Sequence, residues 1–303
     1  MKVVIAGGTG FLGRPLTDTL LRDRHDVVIL TRSTGAAVPP GARAAAWDPN
    51  GESGPWASEI EGAGAVVNLA GESIAKRWTA AQKARILDSR VRATRSLAAA
   101  IRGAAAPPPV FVSGSAVGYY GPLGADTVTE DQPAGSDFLA HVCEHWEQEA
   151  MRAESAHTRV ARIRTGIVLE RDGGALPKML PPFWIGAGGP VGSGRQYLPW
   201  IHRDDWIALV RWAIATPAAS GALNATAPHP VTSKAFARAL GRAMHRPAFL
   251  PAPAFALRLL LGEMAGALLL SGQNAVPARA TRAGFTFRYG DVDTALGAIF
   301  GNA

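Results

Sequence analysis

Val3-Val4-Ile5-Ala6-Gly7-Gly8-Thr9-Gly10-Phe11-Leu12-Gly13 stands at the start of the chain, and its reading decides the fold. A short β-branched run leads into Gly7, Gly10 and Gly13, spaced GxxGxxG. The first two glycines let the backbone turn tightly against a pyrophosphate, and the third lets a helix pack on the strand. Arg14 to Leu21 follows with Leu16, Leu20 and Leu21 on one helical face, as a helix lying on a sheet requires. The N-terminus of that helix would turn free N–H groups toward a phosphate. A lone glycine pattern is weak, but strand, turn and helix in this order mark a nucleotide-binding β-turn-α unit.

The next strand, Val27-Val28-Ile29-Leu30, ends in Thr31-Arg32. About twenty residues beyond the last glycine, an NAD site usually presents an acidic residue to the ribose hydroxyls. Here the position carries no carboxylate. Arg32 offers a planar fork of donors suited to the extra phosphate of NADP, so NADPH is expected to bind more tightly than NADH.

The chain has 303 residues, 48% of them hydrophobic, enough for a large core in a cofactor domain with a smaller partner. Cys143 is the sole cysteine, which excludes an intrachain disulfide, and the N-terminus reads as a core strand where a secretory signal would need a longer apolar run. Both features point to the cytoplasm. The formal charge of +7 raises nucleic acid as a partner. Its densest stretch, Lys83, Arg85, Arg90, Arg92 and Arg95, falls on a predicted helix as a solvated face, so no nucleic-acid partner is expected. Ala254 to Leu270 is apolar, yet Arg258 and Glu263 interrupt it and it is too short to span a bilayer. A helix buried in a cap domain, or at an oligomer contact, is the expectation there.

Further strands read at Ala44–Trp47, Ala65–Asn68, Val110–Ser113 and Arg159–Ile163, alternating with helices in a βαβ pattern. Thr79 and Gln82 have capping-box spacing, which predicts a helix from Ala80 to about Ile101, and another should run from near Asp137 to about Glu154. The fold class is therefore α/β, a Rossmann-type doubly wound parallel sheet with a smaller C-terminal substrate-covering domain. The expected division is 1–168 for the NADP-binding domain and 169–303 for the substrate side, with the chain returning to the first domain around 198–226. Ligands of such sheets lie beyond the carboxyl ends of the strands. Asp48 there could accept from an adenine amino group, and Leu69, Ala70 and Gly71 would let a cofactor pass close to backbone. Thr9, Phe11 and Leu12 join the glycines as expected cofactor contacts.

Several motifs together resemble the NAD(P)-dependent epimerase/dehydratase family of extended and atypical short-chain dehydrogenases. They are Gly7–Gly13, Asn68-Leu69-Ala70-Gly71, Ser113-Gly114-Ser115-Ala116-Val117-Gly118-Tyr119-Tyr120-Gly121, and Trp200-Ile201-His202-Arg203-Asp204-Asp205. Arg77-Trp78-Thr79, Pro230–Lys234, His245-Arg246-Pro247, Gly262-Glu263-Met264 and Gly284–Phe287 resemble an epimerase-like subfamily of unknown substrate with a distinctive C-terminal domain. The resemblance covers essentially the whole chain. It implies a Rossmann domain, a small-molecule substrate and no membrane, and it admits a homodimer.

The same resemblance implies a catalytic tyrosine, a lysine four residues later that lowers its pKa, and an upstream serine. A phenol near pKa 10 trades protons at neutral pH only with such help. Ser115 fits the serine. Counting back from Glu147 places Leu139 at the tyrosine and Cys143 at the lysine, and neither can do that chemistry. Substitute candidates are Tyr119, Tyr120 and His202, with Asp204 or Asp205 expected to cap a helix near Trp206. His141 and His145 have metal-ligand spacing, beside Glu144 and Glu147, but show no third ligand, and no metal is expected. The glycine-rich loop Gly186–Gln196 should line the substrate side. Leu198 occupies the place where nucleotide-sugar epimerases carry an arginine, which argues against a UDP-sugar. The expectation is an NADP-dependent oxidoreductase or epimerase-like enzyme acting on a small carbonyl or hydroxyl compound, NAD being the lesser cofactor. The alternative is a non-catalytic NADP(H)-binding sensor or scaffold, which would keep the glycine turn and dispense with the tyrosine and lysine.

Overall fold

The structure of the protein, a computed structural model, describes residues 1–33, 35, 37–51 and 54–301. Seven strands form the central sheet: β1 (Lys2–Ala6), β2 (Asp26–Thr31), β3 (Arg43–Ala46), β4 (Ala65–Asn68), β5 (Val110–Ala116), β6 (Arg159–Thr165) and β7 (Gly221–Ala225). Their order across the sheet is β7-β6-β5-β4-β1-β2-β3. β1 pairs in parallel with both β2 and β4, so the strand order reverses beside β1. Parallel neighbours need crossovers, and helices supply them: α1 (Gly13–Arg22), α2 (Ala80–Gly103) and α3 (Phe138–Met151). This is the expected doubly wound sheet.

Because a parallel sheet is covered on both faces, its strands read as apolar runs. Val3, Val4, Ile5, Val27, Val28, Ile29, Val66, Val67 and Phe111 are fully buried. Val4, Val28, Val66 and Phe111 join Leu97, Ile101 and Trp56 in one core cluster.

The helix bounds follow local chemistry. Thr79 caps α2, its side chain accepting from the Gln82 N–H at 3.2 Å. The reciprocal arm of a capping box is not made among the described residues: the Thr79 N–H donates to the Arg77 carbonyl and Gln82 Oε1 accepts from Arg85. Asp137 accepts from the Ala140 N–H, and α3 ends at Met151, one turn short of the expected Glu154. β5 runs on through Ser113-Gly114-Ser115 to Ala116, beyond the expected strand end.

The described residues divide into two compact units. Unit 1 comprises 1–115, 142–163 and 210–223, and unit 2 comprises 116–141, 164–209 and 224–303. The chain therefore crosses between units more often than a boundary at 168/169 with one return would require. Unit 2 contains α4 (Leu176–Trp184), most of α5 (Arg203–Ala215), α6 (Ser233–Met244), α7 (Ala254–Leu261) and α8 (Glu263–Leu268). Its core gathers Leu176, Leu180, Phe183, Trp200, Phe236, Leu240 and Leu296.

Of the two expectations for segment 254–270, a single helix buried within a cap domain is not what the structure shows. Gly262, at φ +63°, breaks it into α7 and α8, no residue of α7 is buried, and Leu259 is 86% exposed. Among the described residues no helix is long and apolar enough to cross a membrane.

Candidate functional site

The turn after β1 shows why its glycines are needed. Gly7 has φ +82°, and a Cβ there would lie 2.7 Å from the Leu69 carbonyl carbon. A Cβ on Gly13 would lie 2.1 Å from the Gly7 carbonyl oxygen. These two positions close the β1 turn onto the β4 turn and the start of α1. At Gly10 the nearest atom to a built Cβ is the Gly7 oxygen at 3.4 Å, and Thr9 and Gly10 are exposed. Phe11 and Leu12 are half-buried just ahead of α1, whose N-terminus has no side-chain cap. An open glycine in front of an uncapped helix start fits a phosphate cradle.

The neighbouring strand end is organised by Asn68, which is fully buried. Its side-chain oxygen accepts from the Ala70 N–H at 3.1 Å, while its amide donates to Thr94 Oγ1 at 2.8 Å. Leu69 and Ala70 are thereby held half-buried and Gly71 exposed. At the end of β2, Arg32 is exposed and its guanidinium has no hydrogen-bond or ion-pair partner among the described residues. Asp48 is exposed too, and its Oδ1 accepts from the backbone and side chain of Asn50, closing a turn after β3. That oxygen is already engaged, which leaves Oδ2 for any ligand. Gly7, Gly10, Gly13, Arg32, Asp48 and Leu69–Gly71 all belong to unit 1 at the carboxyl ends of its strands.

Ser115 is 3% exposed and its hydroxyl donates to Glu147 Oε1 at 2.7 Å. Glu147 Oε2 in turn meets Arg162 of β6 at 3.0 Å. With its hydrogen given to a carboxylate, Ser115 has only lone pairs left to offer, so it faces a ligand as an acceptor. The sequence singled out Ser115 and Glu147 separately. Arg162, which balances the buried charge, gave no signal because strand arginines are ordinarily solvated.

Unit 2 holds the other candidates. Tyr120 is 2% exposed, its hydroxyl donating to Asn224 Oδ1 at 2.6 Å and accepting from Arg164 Nη1 at 3.0 Å. Burial pushes this phenol up to about 12, against the opposing pull of Arg164. A doubly engaged phenol that resists ionisation serves as a core hub, which is the wrong setting for the acid/base role expected of Tyr120. Arg164 also donates to the Glu130 carbonyl and lies 3.5 Å over the ring of Tyr119. Tyr119 is half-buried, with no hydrogen bond to its hydroxyl among the described residues.

His202 is buried, stacked on Tyr289 at 3.9 Å, and its Nδ1 accepts from the Asp204 N–H at 3.0 Å. Burial lowers its pKa, outweighing the nearby carboxylates of Asp204, Glu170 and Asp205. It is therefore a neutral imidazole carrying its hydrogen on Nε2. The helix expected from Trp206 starts at Arg203, and Asp205 does not cap it. Both Asp205 oxygens accept backbone N–H groups, from Arg288 and Tyr289. The loop 186–196 is pinned by Gln196, which donates to the Val191 and Leu269 carbonyls. Among the described residues, no group of His, Cys, Asp and Glu is arranged to hold a metal ion.

Comparison with known proteins adds to this geometry. A model of the NAD dependent epimerase/dehydratase family matches residues 3–225, and a domain of unknown function, DUF1731, matches residues 252–299. An Arabidopsis thaliana protein named epimerase family protein SDR39U1 homolog, chloroplastic, is 43% identical, with 99% of this chain and 86% of that one covered. Epimerase family protein YfhF of Bacillus subtilis is 39% identical over 98% of this chain and 97% of its own. The crystal structure of human SDR39U1 (isoform 2) with NADPH matches with a TM-score of 0.90 at 36% identity, covering 100% of both chains.

Proposed function

Since the chain belongs to the NAD dependent epimerase/dehydratase family, we propose that it binds NADP(H) and uses it as an oxidoreductase or epimerase-like enzyme on a small carbonyl or hydroxyl compound. The observation that carries the cofactor choice is Arg32, exposed and without a partner among the described residues, just after β2 where a carboxylate would otherwise select NAD. The human relative solved with NADPH supports the same choice.

In this reading Gly7, Thr9, Gly10, Phe11, Leu12 and Gly13 hold the pyrophosphate against the start of α1. Ala70 and Gly71, small residues next to Leu69, let the dinucleotide pass close to backbone, and Asp48 would accept from the adenine amino group. When bound, the dinucleotide supplies or accepts the hydride. The chain's own part is positional. Ser115, its proton directed to Glu147, accepts a hydrogen bond from a substrate hydroxyl, and Arg162 holds the other oxygen of Glu147 in place. Tyr119, with its hydroxyl uncommitted, is the remaining proton-exchanging candidate, while Tyr120 and His202 are read as structural. The single buried cysteine supports a reducing compartment, read here as the cytoplasm.

The test is a titration of purified protein with NADPH and NADH, followed by a screen of NADPH consumption against aldehydes and ketones with Ser115→Ala as control. NADPH preference with turnover lost in Ser115→Ala supports the enzyme. Selective binding with no turnover across the screen would favour the sensor reading, and failure to bind either nucleotide would remove both.

A further inference from the structure

The family resemblance puts a lysine where this chain has Cys143, a buried thiol that brings no charge. Another cation of unit 1 stands beside that position. Arg90 rises from α2, and its Cζ lies 5.2 Å over the ring of Trp146, one turn beyond Cys143 on α3. Its guanidinium therefore stands beside the turn of α3 that carries Cys143. A lysine at 143 would thus meet a second cation, which fits the replacement by a small neutral side chain.

Arg90 also sits at the strand ends. A Cβ built on Gly71 would come within 3.1 Å of the Arg90 Cζ and 3.3 Å of both Nη atoms, so the guanidinium lies against the exposed segment that follows β4. Nη1 is fixed by two main-chain carbonyls, of Glu72 and Ile86, each at 3.0 Å. The Glu72 carboxylate turns instead to Lys76 at 2.6 Å. Nε and Nη2 have no hydrogen-bond partner among the described residues. Arg90 is half-buried, and these two donors of a charged fork are left to meet acceptors from solvent or a ligand.

In a doubly wound sheet a dinucleotide extends to both sides of the strand at which the order reverses. Arg32 follows β2, on one side of β1; Gly71 and Arg90 lie beyond β4, on the other. We propose that Arg90 is a cofactor-binding residue, donating from Nε and Nη2 to the ribose and phosphate oxygens of the nicotinamide half of NADPH, in place of the missing lysine. This assignment rests on the NADP(H) reading above, and its test separates the two.

Full-length protein is titrated with NADPH and with adenosine 2′,5′-bisphosphate, which carries the adenine half alone. Arg90→Gln is expected to weaken NADPH by roughly ten- to hundredfold, the loss of hydrogen bonds from a charged donor. Its affinity for the bisphosphate should stay within about twofold of wild type, whereas Arg32→Ala should weaken both ligands. Unchanged NADPH affinity in Arg90→Gln, or an equal loss of both ligands, overturns the assignment. If Arg90→Gln folds poorly, Arg90→Lys keeps the charge without the fork: a loss confined to NADPH supports the proposal, and wild-type affinity overturns it. Wild-type protein that binds the bisphosphate but gains nothing from the nicotinamide half refutes Arg90 while sparing Arg32. No binding of either ligand would instead overturn the NADP(H) reading, and this assignment with it.

Discussion

Arg162 and Arg164 stand two residues apart on β6 and serve two different polar clusters. Arg162, in unit 1, balances the charge of Glu147, which takes the hydrogen of Ser115. Arg164, in unit 2, donates to the Tyr120 hydroxyl and the Glu130 carbonyl. The first arrangement ends in a side chain with hydrogen-bonding capacity left over. The second uses up that of Tyr120, which also donates to Asn224, while Glu130 accepts the Asn224 and Arg279 N–H groups. A polar cluster left incomplete by the protein is a place for a ligand, and a completed one is scaffold. That difference is what favours Ser115 over Tyr120 in the function proposed above.

The contrast can be broken most forcibly at Glu147. Glu147→Ala strands the Arg162 charge and the Ser115 hydroxyl together, and is expected to cost about 4 kcal/mol in urea unfolding. A cost under about 1 kcal/mol would show that water already shares this pair. Tyr120→Phe removes one donor and one acceptor from the completed cluster, for about 1.5 kcal/mol, and should leave turnover per folded molecule unchanged. Abolished turnover in a folded Tyr120→Phe would return that phenol to the chemistry.

His202 sharpens the comparison through pH. Its folded pKa lies below the unfolded value of about 6.5, because burial opposes the charged ring. The stability tied to the neutral form is complete above about pH 6.5 and is lost as pH falls below it, by up to ~1.4 kcal/mol per pH unit. His202→Gln should flatten that acid-side slope in thermal unfolding, and an unchanged slope would mean other groups set it. The smallest effect is expected at Phe255 of α7, 76% exposed, where Phe255→Ser should shift stability by less than about 0.5 kcal/mol. A larger loss would show that α7 is covered in solution.

The sequence made some of this plain and left the rest hidden, for physical reasons. The turn at Gly7–Gly13 is local: strand, glycines and helix lie within one stretch, and their backbone requirements are written in the residue types. The capped start of α2 was readable for the same reason, at Thr79. The polar clusters were not, because their members meet only through the fold; Tyr120 and Asn224 are 104 residues apart. Arg90 read as one more charge on a solvated helix face, and only the position of Gly71 and Trp146 separates it from Arg92, which is paired at the surface with Asp88. For segment 254–270 burial within the chain was the expectation that failed, since apolar composition indicates that a helix is available for burial and says nothing of what covers it.

The claim on which the rest depends is that unit 1 holds a 2′-phosphorylated dinucleotide at Arg32. Calorimetric titration of wild type and Arg32→Ala with NADPH and NADH tests it directly. Wild type should favour NADPH by roughly tenfold or more, the scale of a charged phosphate contact, and Arg32→Ala should bring the two nucleotides to similar affinity with NADH unchanged. Equal affinities in wild type, or a preference for NADPH that survives the substitution, would contradict it.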